Sequence, residues 1–279
     1  MFGRERIEYK TPAQVRAMRR AGLVVADTLA AVLEQVHPGV TTAELDAVAA
    51  QFIADAGAEP SFLGYDGFPA TLCVSVNDEV VHGIPGARVL EPGDVVSLDY
   101  GAIVDGWHGD SALTVVLPDA DLADLALSRV TEQAMWAGIA ALASAGRLGA
   151  VGDAVEDVVD AADLAMTTGT RYGIVQDYVG HGIGTSMHQP PDVLNYRARR
   201  RGTRIRPGLC VAIEPMLTGG NGATQELDDG WTVVTDDGSR AAHWEHTVAV
   251  LDAGIWVLTA HDGGAARLAE LGITVAPLD

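Results

Sequence analysis

The sequence predicts an α+β protein that is built from two similar halves within one domain. Along its 279 residues, the order of two helices followed by strand-like segments occurs twice, and no linker or low-complexity tract separates the two rounds. A spacing also repeats: Pro92-Gly93 precedes the apolar run that ends at Asp99, and Pro207-Gly208 precedes the run that ends at Glu214. In both cases a carboxylate lies seven residues after the proline.

The first helix pair has clear start signals. Thr11 followed by Pro12 is typical of an N-cap and a first helical turn, and the apolar residues that follow keep helical spacing as far as Val36. Thr41 and Glu44 predict a capping box for a second helix that Gly57 ends.

The second helix pair begins near Asp121 with LALSRVTEQAMWAGIAALASAG and continues with VGDAVEDVVDAADLAMTTG. Strand-like sequence lies between the two helix pairs and resumes as far as about Leu258. We therefore expect an N-terminal extension (1–10) and one catalytic domain (11–279), in which two related halves (about 11–118 and 119–260) precede a short C-terminal tail.

Composition narrows the class of protein. Hydrophobic residues make up 48% of the chain and charged residues 20%, which is ordinary for a globular domain. No apolar run approaches the roughly 20 residues that span a bilayer, and the N-terminus lacks a secretory signal. Two cysteines do not form a disulfide framework. We therefore expect a cytoplasmic protein without a membrane partner.

Charge disfavours nucleic acid as a specific partner, because the net charge is −20. The segment RARRRGTRIR, Arg197–Arg206, is a local exception and holds six of the seventeen arginines. A solvated loop and a docking patch for an anionic partner such as the ribosome both remain open.

The two repeated strands predict a metal site. Strand geometry places Asp99 and Glu214 at equivalent ends of apolar runs, so that a pseudo-twofold axis would make them face each other. Buried carboxylates in this arrangement stay ionised only beside a cation or strong donors. Asp110, His181 and Glu245 lie nearby in the motifs, and no lysine or arginine lies in these strands. Four carboxylates and one imidazole suit two divalent ions such as Mn²⁺, Fe²⁺ or Co²⁺.

Four motifs, LDYGAIVDGWHGDSALT, GHGIGTSMHQPP, AIEPMLT and WEHTVAV, together make the chain resemble the type I methionine aminopeptidases. The resemblance extends over nearly the whole chain and implies the pita-bread fold: a curved antiparallel sheet with two helix pairs packed on its outside about a pseudo-twofold axis. It also implies a monomeric enzyme that removes the N-terminal methionine from peptides and nascent chains with a small second residue. Type II enzymes carry a helical insertion, and the 32 residues between His181 and Glu214 leave little room for one.

The resemblance assigns metal ligands and catalytic roles. Asp110 and Glu245 would bridge two divalent ions, Asp99 would complete one site, and His181 and Glu214 would complete the other. Glu214 would also accept the proton of the attacking water.

Two further histidines have implied roles. His188 would donate a hydrogen bond to the scissile carbonyl and the developing oxyanion, whereas His82 would contact the peptide nitrogen and help protonate the departing amine. The resemblance also implies a monovalent cation near Asn77, held mainly by main-chain oxygens.

The family also implies a pocket for the methionine side chain. Its expected walls are aromatic and thiol side chains that suit an unbranched thioether: Phe62, Tyr65, Phe68, Cys73, Met187 and Trp231. Ordinary core packing is an alternative for Phe62 and Met187.

Other acids and histidines match no ligand position. We interpret Asp105 and His108 as turn and surface residues, and we expect His37 and His261 at the surface as well. His243 and His246 flank Glu245 and could support the ligands from behind.

Other functions stay open at this point. A prolidase or proline aminopeptidase of the same fold usually carries a sizeable N-terminal domain, whereas about ten residues precede the first helix here. A non-catalytic binding protein of this fold typically lacks metal ligands, and all five positions are filled here. An unrelated dinuclear hydrolase would not share the four motifs. The ligands do not decide between Mn²⁺, Fe²⁺, Co²⁺ and Zn²⁺.

Overall fold

A computed structural model describes residues 6–165 and 171–278. Its α-helices are α1 (Pro12–Leu33), α2 (Thr42–Asp55), α3 (Leu122–Ser144), α4 (Gly149–Ala165) and α5 (Ala265–Glu270), with a 3₁₀ turn at Tyr65–Gly67. The end of the fourth predicted helix (166–169) and the first half of the predicted N-terminal extension (1–5) lie outside the described residues.

The strands are short except in two hairpins. In chain order they are β1 (Glu59–Pro60), β2 (Leu72–Val76), β3 (Glu79–Val81), β4 (Val95–Val104), β5 (Trp107–Val116), β6 (Gly173–Ile174), β7 (Gly180–Gly182), β8 (Gln189–Val193), β9 (Cys210–Ile213), β10 (Met216–Thr218), β11 (Thr224–Glu226), β12 (Val233–Thr235), β13 (Ala241–His243), β14 (Glu245–Leu251) and β15 (Gly254–Val257).

Both predicted helix starts in the first half are confirmed. The Thr11 hydroxyl accepts a hydrogen bond from the Gln14 N–H at 3.3 Å, and Thr41 forms the predicted capping box with Glu44. Helix α1 ends at Leu33, however, so that Val36 lies beyond the helix although the apolar spacing extends to it.

The main sheet joins two equivalent pairs of strands. Its strand order is β1-β4-β5-β14-β9-β7-β8, with β2 paired to β4 and β15 paired to β14, and all of these pairs are antiparallel. The succession β4, β5 in the first half is mirrored by β14, β9 in the second, and the two halves meet where β5 pairs with β14. The predicted duplicated α+β fold with an antiparallel sheet is thus confirmed.

The sequence His-Gly-Ile occurs at residues 82–84 and again at 181–183, which by sequence alone is a second sign of duplication, but the two copies do not occupy equivalent strands. His181 lies in β7, which pairs with β9 in the main sheet. His82 follows β3, which pairs with β12 in a separate three-stranded sheet, and has a positive φ of 60°. The match between these tripeptides is therefore not a match of position, and the duplication rests on the two Pro-Gly-strand-carboxylate segments.

Each half has its own apolar core between helices and sheet. In the first half, α1 and α2 pack on β2 and β4 through residues such as Val25, Leu45 and Leu98. In the second half, α3 and α4 pack on β9, β14 and β15 through residues such as Ile139 and Val211. Among the described residues, no helix is both long enough and apolar enough to cross a bilayer.

A close approach of backbones fixes β5 against α1. A Cβ built on Gly109 would lie 2.8 Å from the Gly22 backbone nitrogen, and one built on Gly22 would collide with the Leu258 carbonyl group. Only glycine allows this contact, which sets the position of the strand that carries the neighbouring Asp110.

We expect Gly109→Ala to destabilise the protein by about 1–3 kcal/mol, because the added methyl group must push α1 and β5 apart. Gly146→Ala is the matched control: no atom lies within 4 Å of a Cβ at Gly146. Urea unfolding followed by circular dichroism measures both changes. Equal stability of the two variants would contradict the close-packing argument.

Candidate metal centre

Strand register places four acidic positions on one face of the main sheet. Asp99 pairs with Ala112, and Ala112 in turn pairs with Glu245 across the β5–β14 contact. Continuing the β9–β14 register beyond Ile213 puts Glu214 opposite Glu245. Asp110 lies two residues before Ala112 and therefore shares its face. The small alanine between two acids leaves open space above the middle of the sheet.

Side-chain hydrogen bonds hold the contact between the two halves beside these acids. The Ser111 hydroxyl donates to the Glu245 carbonyl oxygen at 2.6 Å. The Thr247 hydroxyl accepts from the Asp110 N–H at 3.1 Å and donates to the Asp110 carbonyl oxygen at 2.8 Å. The main-chain positions of Asp110 and Glu245 are therefore fixed by side chains from the opposite half.

The four carboxyl groups are buried and poorly compensated. Asp99, Asp110, Glu214 and Glu245 are each at most 8% exposed, and one oxygen each of Asp99, Asp110 and Glu245 is buried without a hydrogen-bond partner. Burial raises the pKa of Asp99 to about 7 and that of Glu214 to about 8. Burial and the neighbouring acids raise the pKa values of Asp110 and Glu245 well above the ordinary range.

His181 presents a free nitrogen to this cluster. Its Nδ1 lies 3.0 Å from the Gly182 carbonyl oxygen, so Nδ1 carries the proton and donates it there. Its Nε2 lies 3.3 Å from Glu214 Oε1 and 3.8 Å from Asp110 Oδ2. Burial lowers the pKa of His181 to about 3, which keeps the ring neutral and its Nε2 lone pair available.

These residues fit divalent metal ions. Ligand atoms of Asp110, His181 and Glu245 lie within 4.8 Å of one another, and Asp99 and Glu214 line the same cavity. No lysine or arginine of the described residues lines it, so the partnerless carboxylate oxygens have no cationic side chain to meet. Oxygen-rich ligands with one imidazole and no thiolate favour ions such as Mn²⁺, Fe²⁺ or Co²⁺.

The cluster forms the floor of a cavity of about 140 Å³ with aromatic walls. The Phe68 ring meets the Trp231 ring edge to face with centroids 5.1 Å apart, and Phe62 packs on Phe68 at 6.4 Å. Tyr65 and Cys73 also line the cavity, as the sequence predicts.

The prediction for Met187 is wrong. Met187 does not line the cavity; it is 2% exposed and packs in the core beside Phe62 and Gly101. Its unbranched side chain fills the space over Gly101, where a Cβ would come within 3.0 Å of its Cε atom. Core packing, the alternative open for this residue, is what the structure has.

Two lining residues, Asp66 and Val81, were not predicted. Asp66 has a positive φ of 45° in the turn beside Tyr65, and Val81 ends β3 directly before His82. In the sequence, only their position next to the predicted residues Tyr65 and His82 could have indicated that they line the cavity. Neither an aspartate nor a valine by itself indicates a pocket.

His188 and Tyr65 form a pair at the mouth of the cavity. The His188 Nδ1 lies 2.9 Å from the Tyr65 hydroxyl, and the rings of His188 and His181 meet at a centroid distance of 4.3 Å. Desolvation by surrounding groups lowers the pKa of His188. With the Tyr65 hydroxyl donating to Nδ1, the neutral ring carries its proton on Nε2.

His82 occupies the opposite wall. Its half-buried ring contacts the Tyr178 ring at 5.6 Å and the Trp231 ring at 6.0 Å. Burial lowers the pKa of His82 to about 4, so that the ring is neutral near pH 7. The glycine after it is required, because a Cβ on Gly83 would lie 2.9 Å from the Ser75 Cα atom.

Two histidines flank Glu245, and their supporting role stays a prediction. His243 is 1% exposed, and its Nε2 lies 3.7 Å from Glu214 Oε2. His246 Nδ1 lies 2.8 Å from the Thr259 hydroxyl and 3.3 Å from the Ser111 hydroxyl.

The interpretation of His108 as a surface residue is wrong, whereas Asp105 is a turn residue as predicted. Asp105 has a φ of 51° and pairs with Arg20 at 2.6 Å on the surface. His108 is half-buried: its Nδ1 lies 3.0 Å from the Ser61 hydroxyl, and burial lowers its pKa to about 4. In β5, His108 lies on the same strand face as Asp110, its ring contacts Ser61, and its N–H donates to the Gly184 carbonyl oxygen, which its sequence position alone does not reveal.

The family model and the relatives of known function that match this chain point to the same family. The model of metallopeptidase family M24 matches residues 16–252. The chain is 50% identical to methionine aminopeptidase 1 of Mycobacterium tuberculosis over 92% of this chain and 96% of that protein. It is 42% identical to methionine aminopeptidase 1 of Bacillus subtilis over 90% of this chain and 98% of that protein.

Solved structures agree. Methionine aminopeptidase from Thermotoga maritima superposes with a TM-score of 0.86 at 36% identity and covers 92% of this chain and 100% of its own. Prolidase from Pyrococcus furiosus, at 18% identity, shares the fold with a TM-score of 0.69, and the match covers 65% of that longer chain. The chain thus belongs to metallopeptidase family M24 and, within it, to the methionine aminopeptidases.

Proposed function

We propose that this protein is a metal-dependent aminopeptidase that removes the N-terminal methionine from peptides and nascent chains whose second residue is small. One observation carries the proposal: four buried carboxyl groups and one imidazole form the floor of a small cavity with aromatic walls. Its volume of about 140 Å³ lies well below the roughly 300–1,000 Å³ of pockets for drug-sized ligands, so it suits a single side chain.

Five residues would hold two divalent ions. Asp110 and Glu245, whose strands meet at the contact between the halves, would lie between the ions. Asp99 would complete one site, and His181 with Glu214 would complete the other. Bound divalent ions lower the pKa of a water molecule and polarise a carbonyl group. The identity of the ion stays open among Mn²⁺, Fe²⁺, Co²⁺ and Zn²⁺. These ligands accept all four ions, so the availability of each ion decides which one binds.

Glu214 would act as the general base. Its carboxylate lies at the floor of the cavity, where it would accept the proton of the attacking water. His243 Nε2, 3.7 Å from Glu214 Oε2, lies on the side away from His181 and limits the positions open to this carboxylate.

His188 and His82 would act on the peptide itself. The protonated Nε2 of the neutral His188 ring would donate to the scissile carbonyl oxygen and to the negative charge that develops on it. His82, on the opposite wall, would contact the peptide nitrogen and pass a proton to the departing amine. The neutral state of both rings leaves each with one donor and one acceptor nitrogen.

The substrate side chain would enter between aromatic rings. Phe68 and Trp231 form a rigid edge-to-face wall, Phe62 and Tyr65 extend it, and the buried thiol of Cys73 lies near the metal ligands. An unbranched thioether fits such a slot better than a β-branched side chain. The free α-amine of the substrate would lie beside Asp99, which explains a restriction to N-terminal residues.

A prolidase-like activity has less support. The prolidase structure shares the fold at 18% identity, whereas the three methionine aminopeptidases named above match at 36–50% identity over nearly their whole length. A non-catalytic binding protein would have no use for five filled ligand positions beside two neutral histidines.

We also propose that the protein works as a monomer in the cytoplasm and docks on an anionic assembly, the ribosome. Arg199, Arg201 and Arg204 are exposed and, with Arg147, line a groove of about 870 Å³. Arg197 does not add to this positive surface, because it pairs with three acids of α4 at 2.5–3.2 Å.

A monovalent cation near Asn77 stays a prediction. The Asn77 backbone has a φ of 69°, and its side chain bonds to Asp94 and to the Val95 N–H. Its carbonyl oxygen already accepts a hydrogen bond from the Ala241 N–H at 2.8 Å.

We expect cleavage of Met-Ala-Ser and little cleavage of Met-Leu-Ser after reconstitution with Mn²⁺ or Co²⁺, because a large second residue would crowd the mouth at His188 and Tyr65. Mass analysis of the products measures both reactions. Efficient release of N-terminal leucine or proline, or equal cleavage of Met-Ala and Met-Trp peptides, would contradict the proposed selectivity. Absence of any cleavage with either metal would favour the binding-protein alternative.

A second experiment distinguishes the metal ligands from the hydrogen-bond donor His188. His188→Ala removes a hydrogen-bond donor, so we expect a loss of about 10²–10³ in kcat with unchanged metal stoichiometry. Asp110→Asn weakens a bridging ligand, so bound metal should fall. Glu214→Gln should bind metal less tightly and stay nearly inactive at saturating metal. Elemental analysis and calorimetry measure the bound metal. These assignments would be overturned if His188→Ala lost metal while Asp110→Asn kept full metal content and activity.

For ribosome docking, we expect replacement of Arg199, Arg201 and Arg204 by glutamine to weaken cosedimentation with ribosomes and to reduce its salt dependence. Tripeptide hydrolysis should stay unchanged. Arg197→Gln is the matched control, since the charge of Arg197 is already balanced by α4. Equal cosedimentation of both variants and wild type would identify the segment as a solvated loop.

A further inference from the structure

The only lysine of the chain, Lys10, is buried. Its side chain is 1% exposed, and its Nζ donates a hydrogen bond to the Ile183 carbonyl oxygen at 2.5 Å and lies 3.7 Å from Glu8 Oε2. Lysine is almost never fully buried unless its charge is paired and its donors are used. The position of this ammonium group is therefore set by a specific pair of acceptors.

Glu8 binds the same loop from the same segment. Its carboxylate accepts hydrogen bonds from the Thr185 N–H at 3.2 Å, the Thr185 hydroxyl at 3.1 Å and the Gln189 side-chain amide at 2.8 Å. Glu8 and Lys10 together thus contact both ends of the loop 183–189, which connects His181 to β8 and contains His188.

The loop is shaped to receive these two side chains. A Cβ on Gly184 would lie 2.5 Å from Lys10 Cε and 2.7 Å from Lys10 Nζ, so that only glycine leaves room for the ammonium group. The Gly184 carbonyl oxygen accepts from the His108 N–H at 2.9 Å. Much of the hydrogen bonding of this loop is therefore supplied by groups outside it.

The main chain of residues 8–10 is hydrogen-bonded to the core of the protein. The Lys10 N–H donates to the Gly208 carbonyl oxygen at 2.7 Å, just before β9. The next residue, Thr11, is the N-cap of α1. Residues 8–10, which the sequence assigns to an N-terminal extension, are thus fixed between α1, β9 and the loop that carries His188.

We propose that Glu8 and Lys10 are positioning residues that hold the His188 ring in register with the metal ligands. The inference deepens the proposed function and rests on it, because His188 is assigned there as the donor to the carbonyl oxygen. The ring itself meets the His181 ring at 4.3 Å between centroids and the Tyr65 hydroxyl at 2.9 Å, and Glu8 and Lys10 act on the backbone of the loop that carries it. A shift of the loop by a fraction of an ångström would move the Nε2 donor away from the oxyanion.

The test compares two variants with two matched controls. Lys10→Met keeps the unbranched apolar stem and removes the donor, and Glu8→Gln keeps an acceptor oxygen and removes the charge. Arg6→Met removes a positive charge from an exposed position in the same segment, and Glu59→Gln removes an exposed carboxylate elsewhere. Each protein is loaded with the same metal, and its bound metal and unfolding midpoint are measured first.

Kinetics with Met-Ala-Ser provide the first readout. We expect kcat to fall about tenfold in Lys10→Met and Glu8→Gln while KM changes less than twofold, because a donor to the oxyanion acts mainly in the transition state. The double variant should lose little more than either single variant, since both act through His188. Both controls should retain wild-type kcat and bound metal.

Imidazole ¹⁵N spectra of the zinc-loaded proteins provide the second readout. The His188 signals, assigned with His188→Ala, should shift in Lys10→Met and in Glu8→Gln, whereas the signals of the exposed His37 and His261 should not. This readout does not depend on turnover, so it tests the positioning even where wild-type protein fails to cleave Met-Ala-Ser and the proposed function is wrong.

Either of two results would overturn the proposal. One is an unchanged kcat with unchanged His188 signals in both variants. The other is a loss of activity that follows only the folded fraction or the bound metal, with His188 signals identical to those of wild type. Should Lys10→Met fail to fold, Glu8→Gln, which removes no buried donor, decides by the same criteria.

Discussion

The burial of four carboxyl groups on one face of a sheet, with no cationic side chain of the described residues beside them, is the constraint on which the rest of this structure depends. Like charges in a low-dielectric site raise one another's pKa values and oppose folding. The cluster is therefore compatible with a stable core only when cations compensate its charge or when the carboxyl groups take up protons. A protein that keeps such an arrangement gives up stability for a binding site, which is typical of functional residues.

The way in which the two halves join makes this arrangement available. The acids come from β4, β5 and β14 and from the end of β9, so neither half contains the complete set. At the contact between the halves, the main-chain positions of Asp110 and Glu245 are fixed by hydroxyl groups rather than by lysine or arginine. Neutral hydroxyls hold the backbone without competing with metal ions for the carboxylates. The small side chain of Ala112 leaves the space above the sheet open.

The cavity is completed by elements that lie outside the main sheet. The aromatic wall comes from the turn around Tyr65 and from Trp231, and His82 follows a strand of the second sheet. His188 lies in a loop whose hydrogen bonds are supplied largely by the N-terminal segment and by His108. The metal ligands therefore sit on rigid strands, whereas the residues that would contact substrate sit on turns and loops. Rigid placement suits ions, which tolerate little displacement, and loops allow the peptide to enter.

The sequence by itself determined the helix starts of the first half and the repeated Pro-Gly-strand-carboxylate segments, because capping and strand period are local properties of the chain. The five metal-ligand positions stay a prediction. Thr11, Thr41, Asp99 and Glu214 needed nothing from distant residues to be recognised. Only the tertiary structure decided which side chains face the cavity. Met187 turned into the core to cover Gly101, His108 became half-buried, and the two His-Gly-Ile sequences proved unrelated in position. Such outcomes depend on packing between segments far apart in the chain, as does the burial of Lys10, and local periodicity carries no information about it.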